Sequence, residues 1–151
     1  MVGQVIVLDT GPVGLITNPK LSEQGIACNQ WLQAHLKAKS RVIVPEIADY
    51  EVRRELLRAK KKKGLDRLDG LSQLIEYLPL TTTAMRQAAQ LWAQARQKGQ
   101  PTAGDKTIDG DMILIAQAMT IESSEVIIAT TNVSHLSRFI AADLWQNVKP
   151  S

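Results

Sequence analysis

The sequence predicts an α/β fold in which helices cover a central parallel sheet. Three short apolar runs rich in β-branched residues support this class: Val5–Leu8, Val42–Val44 and Val126–Ala129. Continuous apolar runs followed by polar or turn-forming residues are typical of strands that are buried on both faces, as in parallel sheets. Segments with helical periodicity separate these runs, and strands that alternate with helices favour right-handed crossovers between parallel neighbours.

Length and composition are those of one globular domain. The chain has 151 residues, of which 44% are hydrophobic and 22% charged, values that argue against disordered and fibrous classes. We therefore expect residues 1–151 to form a single domain that is long enough to bury a hydrophobic core. The one cysteine, Cys28, cannot form an internal disulfide, which fits a reduced, cytoplasmic protein. We expect a soluble protein, because we find no secretory signal and no apolar stretch near the roughly 20 residues of a membrane span.

The segment after the first strand is predicted to be a turn followed by a helix. Gly11 and Pro12 are turn formers, and they come directly after the strand and its polar end. A helix is predicted over Glu23–Ala38, with Ser22 as its N-cap. His35 falls in the polar half of this helix, so we expect its imidazole at the surface.

The middle of the chain is predicted to contain a helix, an amphipathic stretch and a short strand. Pro45 ends the second strand and suits the first turn of a helix over Glu46–Lys62, which Gly64 is expected to end. Leucines at helical spacing over residues 65–78 mark the amphipathic stretch. It runs into a short strand at Glu76–Leu80.

The last third of the chain is predicted to hold two helices and a final strand. A helix over Ala84–Lys98 follows a run of threonines that can cap it, and Met85 and Trp92 are expected to point inward. Residues 100–106 contain proline and glycine and predict a loop. The segment Met112–Met119 is apolar nearly all round, so it predicts a helix buried in the middle of the fold.

Acidic side chains stand at predicted strand ends and helix starts on separate elements. They are Asp9, Glu51, and Asp109 or Asp111. Because strand C-termini and helix N-termini gather at one edge of a parallel sheet, these acids can converge. Each also has a purely structural explanation, as a turn hydrogen bond, a surface salt bridge or a helix cap. With no set of cysteines and histidines nearby, oxygen ligands favour Mg²⁺ or Mn²⁺ over Zn²⁺.

The net charge of +3 is unevenly distributed. A basic cluster surrounds the end of the helix that carries Glu51. Its candidate phosphate-binding residues are Arg54, Arg58, Lys60, Lys61 and Lys62. Such a cluster favours a polyanion such as nucleic acid. The alternative is a solvated helix end, because cations there are stabilised by the helix dipole alone.

Four short motifs follow one another along the chain. They are Asp9-Thr10 after the first strand, Glu51 within Tyr50–Leu56, Asp111 at the head of Asp111–Ala118, and Thr130-Thr131-Asn132 after the last strand. In this order and spacing they resemble the successive motifs of PIN-domain ribonucleases. Within that family they are most similar to the VapC-like toxins of type II toxin–antitoxin pairs. The resemblance covers nearly the whole chain.

The resemblance implies a three-layer α/β/α sandwich with a central parallel sheet of about four or five strands. It implies an enzyme that cuts RNA with bound Mg²⁺ or Mn²⁺, in which Asp9, Glu51 and Asp111 are the metal-binding carboxylates. Thr130 and Asn132 correspond to a polar pair that orients the site, Thr130 by donating a hydrogen bond to Asp9. A metal-bound water would be the nucleophile, and the basic cluster would hold the phosphate backbone.

The resemblance also implies partners. A small antitoxin protein would cover the acidic pocket, and the chain would form a homodimer. Exposed apolar residues expected on the helix near Trp31 are a further argument for the dimer.

One position departs from the family pattern. The family often has a fourth acid three residues beyond the asparagine, and this chain has His135 there. Either Asp109 supplies the fourth ligand, which we favour because both aspartates are expected at the start of a helix, where Asp109 would lie next to Asp111, or three acids hold the site. The number of metals, one or two, stays open.

A second function is therefore retained beside the nuclease. The chain would then be a nucleic-acid-binding PIN-like module with weak or no nuclease activity. A phosphate-binding domain of the flavodoxin type is disfavoured, because no glycine-rich phosphate loop follows any predicted strand.

Overall fold

The computed structural model describes residues 4–20, 22–98 and 105–150, with the backbone alone for residues 105–108. Its five strands form one sheet in which all neighbours are parallel. The strands are β1 (Val5–Leu8), β2 (Arg41–Pro45), β3 (Glu76–Leu78), β4 (Val126–Thr130) and β5 (Ala142–Leu144). Their order across the sheet is β3-β2-β1-β4-β5, which puts the first strand in the centre. The predicted α/β class with a parallel sheet is confirmed.

Six helices accompany the sheet in the described part of the chain. They are α1 (Thr10–Thr17), α2 (Glu23–Lys37), α3 (Glu46–Arg58), α4 (Lys62–Leu74), α5 (Thr82–Gln97) and α6 (Asp105–Met119). Two single turns of 3₁₀ helix, Leu136–Arg138 and Trp145–Asn147, flank β5. None of the described helices is long and apolar enough to cross a membrane.

The side chains of β1 alternate between two hydrophobic cores. Ile6 and Leu8 belong to the core formed with α1, α2 and α4, whereas Val7 belongs to the core formed with α5 and α6. All four residues of β1 are fully buried. The sheet is therefore the middle of three layers, as the resemblance implied.

A helix replaces the turn predicted after β1. Asp9 is the N-cap of α1, and its carboxylate accepts a hydrogen bond from Thr10 N. Pro12 lies in the first turn, where a missing N–H costs no intrahelical hydrogen bond. Gly11 lets α1 approach the end of β4, because a Cβ at this position would lie 2.6 Å from Thr131 Cγ2. The predicted Gly-Pro turn was wrong.

The helix predicted over Glu46–Lys62 is shorter than expected. It ends at Arg58, and Lys60 reverses the chain in the left-handed conformation with φ of 55°. Gly64 lies in the first turn of α4, where a Cβ would come within 2.6 Å of Leu56 Cδ2. Gly64 therefore lets α4 pack against α3 and does not end a helix, and a lysine occupies the turn where we expected glycine.

The imidazole of His35 is fully buried, so the predicted surface position was wrong. Its Nε2 lies 2.8 Å from Val148 O and its Nδ1 lies 3.0 Å from Ser40 Oγ. A carbonyl only accepts, so Nε2 carries the hydrogen and Nδ1 accepts from the Ser40 hydroxyl. Trp31 Nε1 donates to the same carbonyl. Trp31 itself is also buried, whereas Ile26 on the same helix is exposed, so an exposed apolar side chain remains on α2.

Helix α5 turns small side chains inward. Its buried residues are Ala84, Ala88, Leu91 and Ala95, which face α6. Met85 and Trp92 are exposed, so their predicted inward positions were wrong. Small inward residues allow the two helices to pack closely, and the larger side chains then remain outside.

Helix α6 begins earlier than predicted. It starts at Asp105, so Asp109 and Asp111 lie inside the helix and do not cap it. Most of the predicted loop over residues 100–106 lies outside the described residues, and its last two positions already belong to α6.

Candidate functional site

Asp9 and Thr130 stand at the carboxyl ends of the neighbouring strands β1 and β4. The Thr130 hydroxyl donates to Asp9 Oδ2 at 2.6 Å, and Thr10 N donates to Asp9 Oδ1 at 2.7 Å. Both carboxylate oxygens are therefore held in place. Burial raises the pKa of the Asp9 carboxyl, and the two hydrogen bonds oppose that shift.

Glu51 approaches Asp9 from helix α3. The Thr10 hydroxyl donates to Glu51 Oε1 at 2.7 Å, so the residue beside Asp9 also holds Glu51. Arg54 Nη2 lies 3.8 Å from Glu51 Oε2. Gly110 of α6 lies against the same carboxylate, because a Cβ there would come within 2.6 Å of Glu51 Oε2.

Asp111 follows Gly110 and faces the other two carboxyls. Its pKa is raised to about 6, first by burial and then by the negative charges of Asp9 and Glu51. Carboxylates from three separate elements therefore share one electrostatic environment at the carboxyl edge of the sheet.

The donor chemistry of this cluster fits a hard divalent cation. Carboxylate oxygens are the ligands that Mg²⁺ and Mn²⁺ prefer, and a cation would offset the repulsion that raises the Asp111 pKa. Among the residues that the structure describes, no group of three or more His, Cys, Asp or Glu side chains already has the arrangement of a metal site. The hydrogen bond from Thr10 and the nearby Arg54 engage the oxygens of Glu51 instead.

Asp109 is not beside Asp111, contrary to expectation. Residues two apart on a helix point to different sides, and Asp109 lines a groove between α5 and α6 with Trp92 and Met112. The expectation failed because it assumed that both aspartates lie at the start of the helix. We therefore do not retain Asp109 as a fourth ligand.

Asn132 and His135 lie beyond the end of β4. The Asn132 side chain is exposed and accepts a hydrogen bond from Ser134 N, while its own N–H donates to the Thr130 hydroxyl at 3.0 Å. Asn132 thus contacts Thr130 through its main chain. His135 is partly buried, and its Nδ1 is a buried atom without a hydrogen-bond partner among the described residues.

The basic cluster borders a groove that begins at Glu51. The groove has a volume of about 430 Å³ and runs from Thr10 and Glu51 to Arg58 and Lys61. Arg58 pairs with Glu55 at 2.8 Å, and the guanidinium of Arg54 lies over the Tyr50 ring. Lys60 and Lys62 are exposed at the turn between α3 and α4.

Sequence reasoning assigned no role to three residues that shape the site, although Thr10 was part of the Asp9-Thr10 motif. Thr10 bonds Glu51, Gly110 admits the Glu51 carboxylate beside α6, and Gln117 bonds the first turn of α3. Gln117 did carry a signal, because it is a polar residue within an otherwise apolar helical segment. Its partners are far away in the sequence, so the signal did not identify them.

The five-stranded parallel sheet between helical layers is a PIN-like three-layer α/β/α fold. No family model matches the sequence, and no curated protein matches it. Solved structures do match the fold. A chain of VapBC2 from Rickettsia felis, bound to a DNA fragment from its promoter, is 16% identical with a TM-score of 0.69, covering 94% of this chain and 99% of that one.

Two further structures agree with it. A chain of FitAcB from Neisseria gonorrhoeae is 20% identical with a TM-score of 0.70, covering 95% of this chain and 99% of that one. A chain of DNA-bound VapBC from Salmonella typhimurium is 20% identical with a TM-score of 0.65, covering 96% and 99%. At these identities the likeness establishes the fold. It agrees with the resemblance to VapC-like PIN domains found in the sequence motifs.

Proposed function

We propose that this chain is a metal-dependent endoribonuclease that hydrolyses RNA phosphodiester bonds and is the toxin of a toxin–antitoxin pair. The observation that carries the proposal is the meeting of Asp9, Glu51 and Asp111 at the carboxyl edge of a PIN-like sheet, where burial and then the charges of the other two carboxylates raise the Asp111 pKa. The fold likeness to VapBC and FitAcB supports the assignment to the toxin class.

Asp9, Glu51 and Asp111 would hold Mg²⁺ or Mn²⁺, which supplies an activated water and neutralises charge at the phosphate. The chain's own residues prepare the carboxylates for this. Thr130 fixes one oxygen of Asp9, and the Thr10 hydroxyl orients Glu51. Asn132 contributes through its N–H, which holds the Thr130 hydroxyl in its orientation toward Asp9.

RNA would follow the groove from the acids toward the basic cluster. Arg58 and Lys61 line this groove. Arg54 lies on α3, Lys60 in the turn after it and Lys62 at the start of α4. Contacts from these cations to phosphates would supply affinity that falls with salt and carries little sequence information.

A small antitoxin would inhibit the enzyme by covering the acidic pocket. The matched VapBC and FitAcB structures support a second protein component. We also propose a homodimer. Exposed apolar side chains support it on two helices, Ile26 on α2 and Met85 and Trp92 on α5.

The decisive experiment is RNA cleavage by the purified protein with Mn²⁺ or Mg²⁺. We expect EDTA to stop cleavage and Asp9→Asn to lower it by at least about 100-fold while RNA binding persists. Asp66→Asn is the matched control, because Asp66 is exposed on α4 and should leave cleavage unchanged. If Asp9→Asn cuts RNA as fast as the parent, the nuclease proposal is wrong. Expression of the chain alone should slow growth if it is a toxin.

The second candidate is a nucleic-acid-binding PIN-like module with weak or no nuclease activity. His135 in place of the family's acid favours it, as does the lack of a ready metal arrangement among the described residues. It predicts salt-dependent RNA binding without metal-dependent cleavage in the same assay.

A further inference from the structure

The first turn of helix α3 receives its hydrogen-bond acceptor from a distant helix. Pro45 is the N-cap of α3 and makes no side-chain capping hydrogen bond. The N–H of Ile47 in that turn donates to Gln117 Oε1 at 3.1 Å. A capping oxygen normally comes from a serine, threonine or aspartate just before the helix. Here an amide on α6 takes over that role.

The Gln117 amide is fully buried, and both of its polar atoms are bonded. Its Nε2 donates to Leu78 O at the end of β3, at a distance of 2.9 Å. A buried amide is costly unless its donor and acceptor are satisfied, so its position is set by these two partners. One side chain thus joins α6 to α3 and to the sheet.

The same face of α6 also contacts Glu51. Gly110 lies seven residues before Gln117, which is two helical turns, so the two residues share one face. On α3, Ile47 and Glu51 are four residues apart and likewise share a face. The two helices therefore meet at two points, Gln117 with Ile47 N and Gly110 with the Glu51 carboxylate.

We propose that Gln117 is a positioning residue for the candidate site: by capping α3 from α6, it sets the Glu51 carboxylate against Gly110 and next to Asp111. The inference rests on the proposed function, because the cation and the RNA would meet the carboxylates that Gln117 aligns. Gln117 itself does not contact the reacting groups.

Gln117→Met tests the proposal, since methionine is similar in size and lacks both hydrogen bonds. We expect amide hydrogen exchange at Ile47 to become at least about 10-fold faster and the amide chemical shift of Gly110 to move. The dissociation constant for Mn²⁺, measured by electron paramagnetic resonance, should rise about 10-fold, as when support for a metal ligand is lost. Leu114→Ala is the matched control, because Leu114 is buried on the same helix. It should lower stability and change these three quantities less than Gln117→Met does.

Gln117→Glu provides the rescue. Its buried carboxyl, when protonated, can both accept from Ile47 N and donate to Leu78 O, so exchange protection and Mn²⁺ affinity should stay near the parent values. If Gln117→Met does not fold, the test uses Gln117→Asn instead. The asparagine side chain is one methylene shorter, so its amide does not reach Ile47 N.

The inference is wrong if the amide chemical shift of Gly110 does not change in Gln117→Met. It is also wrong if Gln117→Met loses no more Mn²⁺ affinity than Leu114→Ala does. A parent protein that neither binds Mn²⁺ nor cuts RNA would instead overturn the proposed function. In that case, amide hydrogen exchange at Ile47 and the amide chemical shift of Gly110, both measured without metal, still test whether Gln117 aligns α3 with α6.

Discussion

Two aspartates separated by one glycine on α6 occupy opposite environments. Asp111 faces Asp9 and Glu51, whereas Asp109 is exposed beside α5. The charge of Asp111 is therefore a local cost to the folded protein when no cation is bound, while the charge of Asp109 is solvated. Such a cost is expected where a site is built to bind a cation rather than to maximise stability.

This cost predicts how stability depends on pH. The pKa of Asp111 is about 6 in the folded chain and its ordinary value is 3.8, so the folded state keeps a proton that the unfolded state releases between these values. The contribution of Asp111 to stability therefore falls as pH rises from about 4 to 6. In EDTA, Asp111→Asn should raise the free energy of unfolding at pH 7.5 by about 1 kcal/mol, a figure reduced for solvent screening, and change it little at pH 3.5.

Urea unfolding of both aspartate variants at the two pH values is the measurement. Asp109→Asn should leave the free energy of unfolding within about 0.5 kcal/mol of the parent at either pH. Equal stabilisation by the two variants at pH 7.5 would contradict the prediction, because the charge of Asp111 would then cost no more than the charge of the exposed Asp109.

At the scale of elements, local sequence patterns identified the central strands. The features that they did not identify depend on contacts with residues far away in the sequence. Strands β1, β2 and β4 are apolar on both faces, so their sequences alone specify buried strands. Strand β5 has three residues with Asp143 in its middle, and no local signal marks it. Pairing with β4 makes it a strand, just as the returning C-terminal segment buries His35.

The candidate site was likewise only partly predictable from local sequence. Asp9, Glu51 and Asp111 could be proposed from their places after strands and on helices. The positions of Asp109 and Asn132 could not, because the first depends on where α6 begins and the second on the path of the loop after β4. Gln117 could not be assigned a role, because its partners belong to α3 and β3.

The turn between α3 and α4 predicts a stabilising substitution. Lys60 has a left-handed backbone, which costs a residue with a Cβ about 1 kcal/mol or more relative to glycine. Lys60→Gly should therefore raise the free energy of unfolding by roughly 0.5–1 kcal/mol, as measured by urea. Lys63→Gly is the matched control: it removes the same charge inside α4, where glycine should lower stability by a similar amount. Destabilisation by both variants would show that the backbone of Lys60 is not strained.

At the scale of the whole molecule, opposite charges share one side of the fold. The acids lie at the carboxyl edge of the sheet, and the groove beside them leads to Arg58 and Lys61. A strand of RNA bound along this groove would place a phosphate near the acids only if the cations hold the neighbouring backbone. The acids alone would repel it, so under the proposed function the basic end of the groove would be needed for binding and the acidic end for chemistry.

This division predicts a specific salt dependence. Each cation that neutralises a phosphate of a single strand contributes about 0.7 to the slope of log K against log salt. In an Asp9→Asn background that prevents cleavage, Arg58→Gln with Lys61→Gln should lower the magnitude of this slope by about 1.4, as measured by fluorescence anisotropy. Lys37→Gln with Lys149→Gln removes two exposed charges outside the groove and should leave it unchanged. Equal decreases of the slope in the two double variants would mean that RNA binding depends only on net charge. The proposal that RNA follows the groove would then be wrong.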